Sequence, residues 1–175
     1  MRMRYFLSLG SNLGDRGKNL AQALAFLEEE GMKIIKSSSI YETQPVDLPS
    51  QPWFFNQIVE VEIVLNPFNF LNLVKKVEKK MMRKPLYSKG PRIIDIDILL
   101  AEGTVVLTKE LKIPHPRMEK RNFVLVPLKE ISPETLHPIL MEKVEDLWKK
   151  SRDKGIVKQI NKQSLKTSKQ TIKER

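Results

Sequence analysis

The order of apolar periodicities along the chain restricts its fold more than any other feature. Residues 5–9 form a short apolar run typical of a buried strand, and Leu20, Leu24 and Leu27 then recur at the spacing of one helix face. Residues 57–65 alternate in the way that a strand with one buried face does. The first half of the chain therefore combines strands with amphipathic helices.

The remaining segments complete the order strand, helix, strand, strand, helix, strand. Residues 32–41 are the second strand candidate, an amphipathic helix follows Pro67, and residues 93–100 form the last strand of the set. This order is that of a ferredoxin-like βαββαβ core. We predict an α+β fold with an antiparallel sheet and helices on one face. Extra C-terminal elements follow it, from a short edge strand at residues 105–106 to a helix ending near residue 150.

Length and composition favour a single domain. The chain has 175 residues, 41% of them hydrophobic, and no cysteine, which excludes disulfides and thiolate chemistry. The net charge of +10 is concentrated near the end, because residues 150–175 hold nine Lys or Arg against two acidic residues. We therefore predict one domain over residues 1–153 and a basic, flexible tail over residues 154–175.

The apolar run near the start is too short for a signal peptide, and no later segment approaches the length of a membrane span. We expect a cytoplasmic protein that does not bind a membrane.

Two carboxylates are predicted to project from one face of the strand at residues 93–100. Asp95 and Asp97 are two residues apart, so they share a face. Ile96, Ile98 and Leu100 would then enter the core from the other face. Adjacent like charges repel, and carboxylate oxygens suit Mg²⁺ held together with substrate phosphates. The spacing alone leaves open a magnesium site or a strand whose outer face is merely hydrated.

Basic residues accompany the carboxylate pair. Arg92 lies three residues before Asp95, and Arg117 and Arg121 are four apart, so one helical turn would align them on one face. Guanidinium groups beside metal-binding carboxylates suit phosphoryl-type transfer, although a solvated basic turn is equally compatible. For His115, between two prolines, a ligand contact and a structural hydrogen bond both remain open. The chain contains neither a P-loop nor a dinucleotide fingerprint.

Six segments spread over about residues 5–140 form a specific combination. They are Leu9-Gly10-Ser11-Asn12-Leu13-Gly14, Tyr41-Glu42-Thr43, Phe55-Asn56, residues 90–99, Pro114-His115-Pro116-Arg117-Met118 and residues 123–128. The Gly-Pro-Arg to Asp-x-Asp segment, followed at this distance by Pro-His-Pro-Arg, is the most specific pair. Together the segments resemble the 6-hydroxymethyl-7,8-dihydropterin pyrophosphokinase family.

The resemblance implies a catalytic domain that transfers pyrophosphate from MgATP to 6-hydroxymethyl-7,8-dihydropterin, giving the pterin diphosphate and AMP, in folate biosynthesis. It implies two Mg²⁺ ions at Asp95 and Asp97 and catalytic roles for Arg83, Arg92 and Arg121. The nucleotide contacts that it implies come from Glu78, Ile98, His115 and Arg121. The pterin contacts that it implies come from Thr43, Val46, Phe54, Asn56 and Phe123. The expected partners are ATP and the pterin, without nucleic acid. We expect a monomer, with a dimer left open.

Two other functions remain open from the residues alone. The positive charge and the ferredoxin-like order are compatible with a non-catalytic module that binds nucleic acid, and a regulatory domain that binds a small ligand is also possible. Both lack an explanation for the carboxylate pair beside Arg92.

Overall fold

The computed structural model describes residues 1–81 and 90–161. Within those ranges the strands are Met3–Ser11 (β1), Lys33–Ser37 (β2), Tyr41–Thr43 (β3), Phe54–Ile63 (β4), Asp95–Ala101 (β5), Val106–Leu107 (β6), Lys112–Ile113 (β7), Leu136–His137 (β8), Glu142–Lys143 (β9) and Val157–Gln159 (β10). The α-helices are Arg16–Glu29 (α1), Pro67–Met81 (α2), Asn122–Ile131 (α3) and Val144–Lys150 (α4), and Met118–Lys120 form a 3₁₀ helix.

One antiparallel sheet organises the described part of the chain. Its path runs β10-β3-β4-β1-β5, and β2 also pairs with β4. The prediction of an α+β fold with an antiparallel sheet is confirmed, and the order of elements agrees with the predicted ferredoxin-like core, except that the predicted second strand is divided into β2 and β3. Ser38 lies at the division, where its hydroxyl accepts a hydrogen bond from the Ile58 amide at 2.9 Å. A side chain thus takes a place that a backbone carbonyl would hold in a continuous ladder.

Helices α1 and α2 cover one face of the sheet, as the periodicity predicted. Leu20, Leu24 and Leu27 are buried in the main core, and the rings of Tyr5 and Phe70 lie 4.5 Å apart there. The Asp15 side chain caps the start of α1 by accepting from the Lys18 amide at 3.0 Å, and Gly31 follows its end with φ of +95°. The local signals and the packing therefore agree.

Leu100 lies on the opposite face, contrary to the prediction. Strand β5 pairs Ile98 with Leu7 but Leu100 with Phe6, so Leu99 is an extra residue in a β-bulge. The bulge reverses the alternation, and Leu100 joins a second buried cluster around Ile58 that α3 and α4 cover.

Two further segments differ from the expected pattern. The predicted edge strand at Val105 and Val106 is instead β6, which pairs with β7 in a separate ribbon. At the other end, β10 pairs with β3 and so extends the main sheet, although it falls within the predicted tail. The boundary at residue 153 stays a prediction. No described helix has both the length and the apolar character needed to cross a membrane.

Candidate active site

Three neighbouring strands of the sheet, β4, β1 and β5, bring polar residues from distant parts of the chain to one face. Gly10 on β1 lies opposite Asn56 on β4 and also opposite Asp95 on β5. Ser8, two residues earlier on β1, lies opposite Asp97. Side chains two apart share a face of a strand, so both carboxylates project from the same side of β5. That side is not the one covered by α1 and α2.

A cleft at this face collects most of the predicted site residues. It is lined by Thr43, Val46, Phe54, Asn56, Arg92, Asp95, Asp97, Arg121 and Phe123, and also by Ser8, Gly10, Gln44, Asp47 and Gln51. The sequence did not indicate the last five as site residues, because small and polar side chains at strand ends and in loops are common everywhere. Arg83 lies outside the described residues.

Asn56 is held in a fixed position within the cleft. Its Nδ2 donates to the Thr43 hydroxyl at 2.5 Å, and both residues are buried. A Cβ atom on Gly10 would lie 2.8 Å from Asn56 Oδ1, so only glycine leaves room for this amide. Because Phe54 and Phe123 line the same cleft, it offers aromatic surfaces and an amide to a planar ligand with donors and acceptors.

The charged part of the cleft contains both carboxylates and guanidinium groups. Arg92 Nη1 lies 3.3 Å from Asp95 Oδ2, and the Asp95 and Asp97 side chains are 38% and 43% exposed. Desolvation and the charge of Asp97 raise the pKa of Asp95 to about 6, although Arg92 and Arg121 oppose this effect. Desolvation also raises the pKa of Asp97. Two ionised carboxylates at this place favour a bound cation.

The two carboxylates suit Mg²⁺ that keeps water and phosphate ligands better than they suit an ion coordinated by protein side chains alone. Among the described residues, no group of three or more Asp, Glu or His side chains is arranged to hold a metal. Mg²⁺ is commonly bound by one or two carboxylates, with water and substrate phosphate oxygens completing its octahedral shell. Asp95 and Asp97 supply the carboxylates for such a site.

Glu78 and Ile98 lie beside the cleft at the outer edge of β5. Glu78 Oε1 accepts from the Ile96 amide at 2.8 Å, which ties α2 to this edge. Burial raises the pKa of Glu78 to about 7, and the charges of Asp95 and Asp97 act in the same direction. The Ile98 side chain is buried in the core. Any contact of Ile98 with a ligand would therefore come from its backbone.

His115 is fixed against β5 through both backbone and ring. Its amide donates to the Leu99 carbonyl at 2.8 Å, and its Nδ1 lies 2.8 Å from the Pro116 carbonyl oxygen. Since a carbonyl oxygen only accepts, Nδ1 carries the ring proton and Nε2 is an acceptor. Nε2 lies 3.8 Å from Asp97 Oδ1. Desolvation lowers the pKa of His115 and thus favours the neutral ring.

Arg117 and Arg121 do not share a helical face, contrary to the prediction. Arg117 has a left-handed backbone with φ of 67°, Arg121 is extended, and only the 3₁₀ helix lies between them. Helix α3 begins directly after Arg121, which leaves too few residues for an α-helical turn. Arg117 is exposed, whereas Arg121 lines the cleft.

Asn12 joins two segments that border the cleft. Its Nδ2 donates to Gln51 Oε1 at 2.9 Å and to the Pro52 carbonyl at 3.1 Å. Its Oδ1 accepts from the Arg92 amide at 2.8 Å. One buried side chain thus connects the proline-rich loop between β3 and β4, which contains Pro45, Pro49 and Pro52, to the segment before β5. In the sequence, a short polar residue after a strand indicates no more than a turn.

Comparisons with known proteins agree on one family. Residues 6–133 match the model of the family 7,8-dihydro-6-hydroxymethylpterin-pyrophosphokinase (HPPK). The chain is 43% identical over 141 residues to the 2-amino-4-hydroxy-6-hydroxymethyldihydropteridine pyrophosphokinase of Aquifex aeolicus, covering 81% of this chain and 88% of that protein. It is 45% identical over 127 residues to the protein of the same name from Bacillus subtilis, covering 72% and 76%.

Longer proteins match as well. The chain is 37% identical over 152 residues to the folic acid synthesis protein fol1 of Schizosaccharomyces pombe, covering 86% of this chain but only 21% of that protein. The crystal structure of Plasmodium falciparum HPPK-DHPS with SDX-DHP aligns with a TM-score of 0.69 at 20% identity. The alignment covers 86% of this chain and 44% of that one, and it supports the fold.

Replacing Asn12 with alanine is expected to destabilise the protein, because the three hydrogen bonds of this buried side chain are lost. The expected loss is about 2 kcal/mol, or roughly 4–8 °C in the midpoint of thermal unfolding. Asn72→Ala, on the exposed side of α2, is the matched control and should shift the midpoint by less than about 1 °C. Equal midpoints for the two variants would contradict the bridging role.

Replacing Asp97 with asparagine is expected to stabilise the metal-free protein at pH 8. The substitution removes a charge that repels Asp95 and that burial disfavours. Since these side chains remain partly exposed, solvent screening limits the gain to about 1–3 °C in the unfolding midpoint. Glu102→Gln, at an exposed carboxylate just after β5, serves as the control. The midpoint of thermal unfolding is measured by circular dichroism with a chelator present. A lower midpoint for Asp97→Asn than for the wild type would contradict repulsion between Asp95 and Asp97.

Proposed function

Because this chain belongs to the 7,8-dihydro-6-hydroxymethylpterin-pyrophosphokinase family, we propose that it transfers the pyrophosphoryl group of ATP to 6-hydroxymethyl-7,8-dihydropterin. The products are the pterin diphosphate and AMP, and the reaction belongs to folate biosynthesis. The chain is proposed to act in the cytoplasm, as a monomer, with these two substrates as its ligands.

The composition of the cleft is the observation that supports this proposal most. Aromatic rings and a fixed amide line the same cleft as the Asp95–Asp97 carboxylate pair and two guanidinium groups. A flat heterocycle needs the aromatic rings and the amide, and a polyphosphate with its metal needs the carboxylates and the guanidinium groups. A nucleic-acid module would have to expose Asp95 and Asp97 to a polyanion, so that alternative has less support.

The pterin would bind between Phe54 and Phe123, with the Asn56 amide reading its polar edge. Asn56 is prepared for this role because Thr43 and the missing Cβ of Gly10 fix its orientation before the ligand arrives. A preorganised amide does not lose side-chain freedom on binding, which favours affinity. Thr43 and Val46 would complete the pocket from the proline-rich loop.

In the transfer step, the pterin hydroxymethyl oxygen would form a bond to the β-phosphorus of ATP. The bond between that phosphorus and the bridging oxygen of the α-phosphate would break, AMP would leave with the electron pair, and the hydroxyl proton would pass to solvent. Arg92 and Arg121 would hold the non-bridging oxygens as charge shifts to the leaving group. Arg83 is proposed to act with them.

Asp95 and Asp97 would hold two Mg²⁺ ions beside these arginines. Bound there, the metal supplies charge neutralisation of the triphosphate and in-line alignment. Glu78, bonded to the Ile96 amide, and His115, bonded to the Leu99 carbonyl, would contact the nucleotide together with the backbone of Ile98, which lies between these two points of β5. The strand alternation supports this, because the Ile96 amide already points outward to Glu78.

The proposed activity predicts a specific nucleotide product. Incubation with Mg²⁺, ATP and 6-hydroxymethyl-7,8-dihydropterin should yield AMP in equal amount to the pterin diphosphate, measured by ion-exchange chromatography. Asp95→Ala and Asp97→Ala should each reduce turnover at least about a hundredfold, with the fold retained. The control Glu102→Ala should keep full turnover. Formation of ADP, or unaffected aspartate variants, would refute the proposal.

Gly10 is predicted to act on pterin binding through Asn56. Gly10→Ala should raise the KM for the pterin about tenfold, because the new methyl group displaces the amide. The KM for ATP should change by less than about twofold. In an Asn56→Ala background, Gly10→Ala should change the KM for the pterin little, because the amide that the methyl group would displace is absent. Additive effects in this double-mutant cycle would show that Gly10 acts by another route.

A further inference from the structure

A hydrogen bond from the end of the chain fixes the start of α3. Asp153 Oδ2 accepts from the Asn122 amide at 2.7 Å, and the Asn122 side chain donates to the Asp153 carbonyl at 2.9 Å. Helix α3 has no side-chain cap of its own at Arg121. Asp153 therefore acts as the N-cap of α3 from another part of the chain. The two residues on either side of Asn122 are Arg121 and Phe123, which both line the cleft.

The same segment is also attached to the opposite wall of the cleft. The Ile156 amide donates to Gln44 Oε1 at 3.1 Å, and the Gln44 amide donates to the Ile156 carbonyl at 3.3 Å. Strand β10 then pairs Val157 with Thr43. Thr43 and Gln44 line the cleft, and Thr43 holds Asn56.

Asp153 is itself held in this geometry. Its Oδ1 accepts from the Gly155 amide at 2.8 Å, and its own amide donates to the Ser151 hydroxyl at 3.2 Å. The turn around Asp153 is therefore defined by its own hydrogen bonds between its two attachments. Movement of α3 relative to β3 would have to break contacts at one end or the other.

We propose that the segment 151–160, here called the clasp, is a positioning element that sets the spacing between Arg121 and Phe123 on one wall of the cleft and Thr43 and Gln44 on the other. Asp153 is its positioning residue. This inference rests on the proposed function for its kinetic consequence, but the coupling of the two walls is independent of any activity.

The kinetic test uses the full-length chain and three variants. Asp153→Ala should lower kcat/KM for the pterin about three- to tenfold, within the range expected for a lost helix cap. The KM for ATP should rise as well, because Arg121 is proposed to contact the nucleotide. Asp153→Asn should recover only part of this loss, because Asp153 accepts through both carboxylate oxygens and asparagine keeps a single acceptor oxygen. Lys154→Ala, an exposed neighbour, should behave as wild type.

An unchanged kcat/KM for the pterin in Asp153→Ala, or an equal loss in Lys154→Ala, would overturn the proposal. Amide hydrogen exchange by NMR gives a second test that needs no turnover. Asp153→Ala should accelerate exchange at Asn122 and also at Gln44, with Lys154→Ala changing neither. If amide exchange accelerates at Asn122 alone, Asp153 is only a local cap of α3, and the proposal that the clasp couples the two walls is refuted. If the wild-type protein forms no AMP but Asp153→Ala accelerates amide exchange at both Asn122 and Gln44, only the proposed function is overturned.

Discussion

The site depends on the pairing of β1 with two neighbours at once. Because Gly10 lies opposite both Asn56 and Asp95, a single register of the sheet places the amide and the carboxylate pair side by side. A one-residue slip in either pairing would turn those side chains to the core face. The apolar residues that bury β1, β4 and β5 against α1 and α2 therefore also fix the chemistry on the opposite face.

The charges in the cleft destabilise the protein when no cation or nucleotide is bound. Burial and the charge of Asp97 raise the pKa of Asp95, and Arg92 offsets only part of that effect. Such an arrangement is disfavoured in the protein alone and becomes favourable when a cation and a polyphosphate bind. Stability and ligand binding therefore place opposite demands on this strand, which is common at functional sites.

Hydrogen bonds from residues far apart in sequence hold the borders of the cleft. Asn12 connects the loop at Gln51 with the backbone of Arg92, and the clasp connects α3 through Asp153 with Gln44 through Ile156. Each is a short polar side chain that satisfies buried backbone groups. Buried amides that lose such partners are costly, so these contacts limit how far the walls can separate.

The sequence by itself determined the class of fold and the carboxylate pair. Apolar periodicity reports which side chains must be buried, and the spacing of Asp95 and Asp97 fixes a shared face on any strand. Only the tertiary structure decided the rest. The bulge at Leu99, the extended backbone at Arg121 and the attachment of Asp153 to α3 all follow from partners distant in the chain. Local patterns carry no information about such partners, because their hydrogen bonds exist only after the sheet has formed.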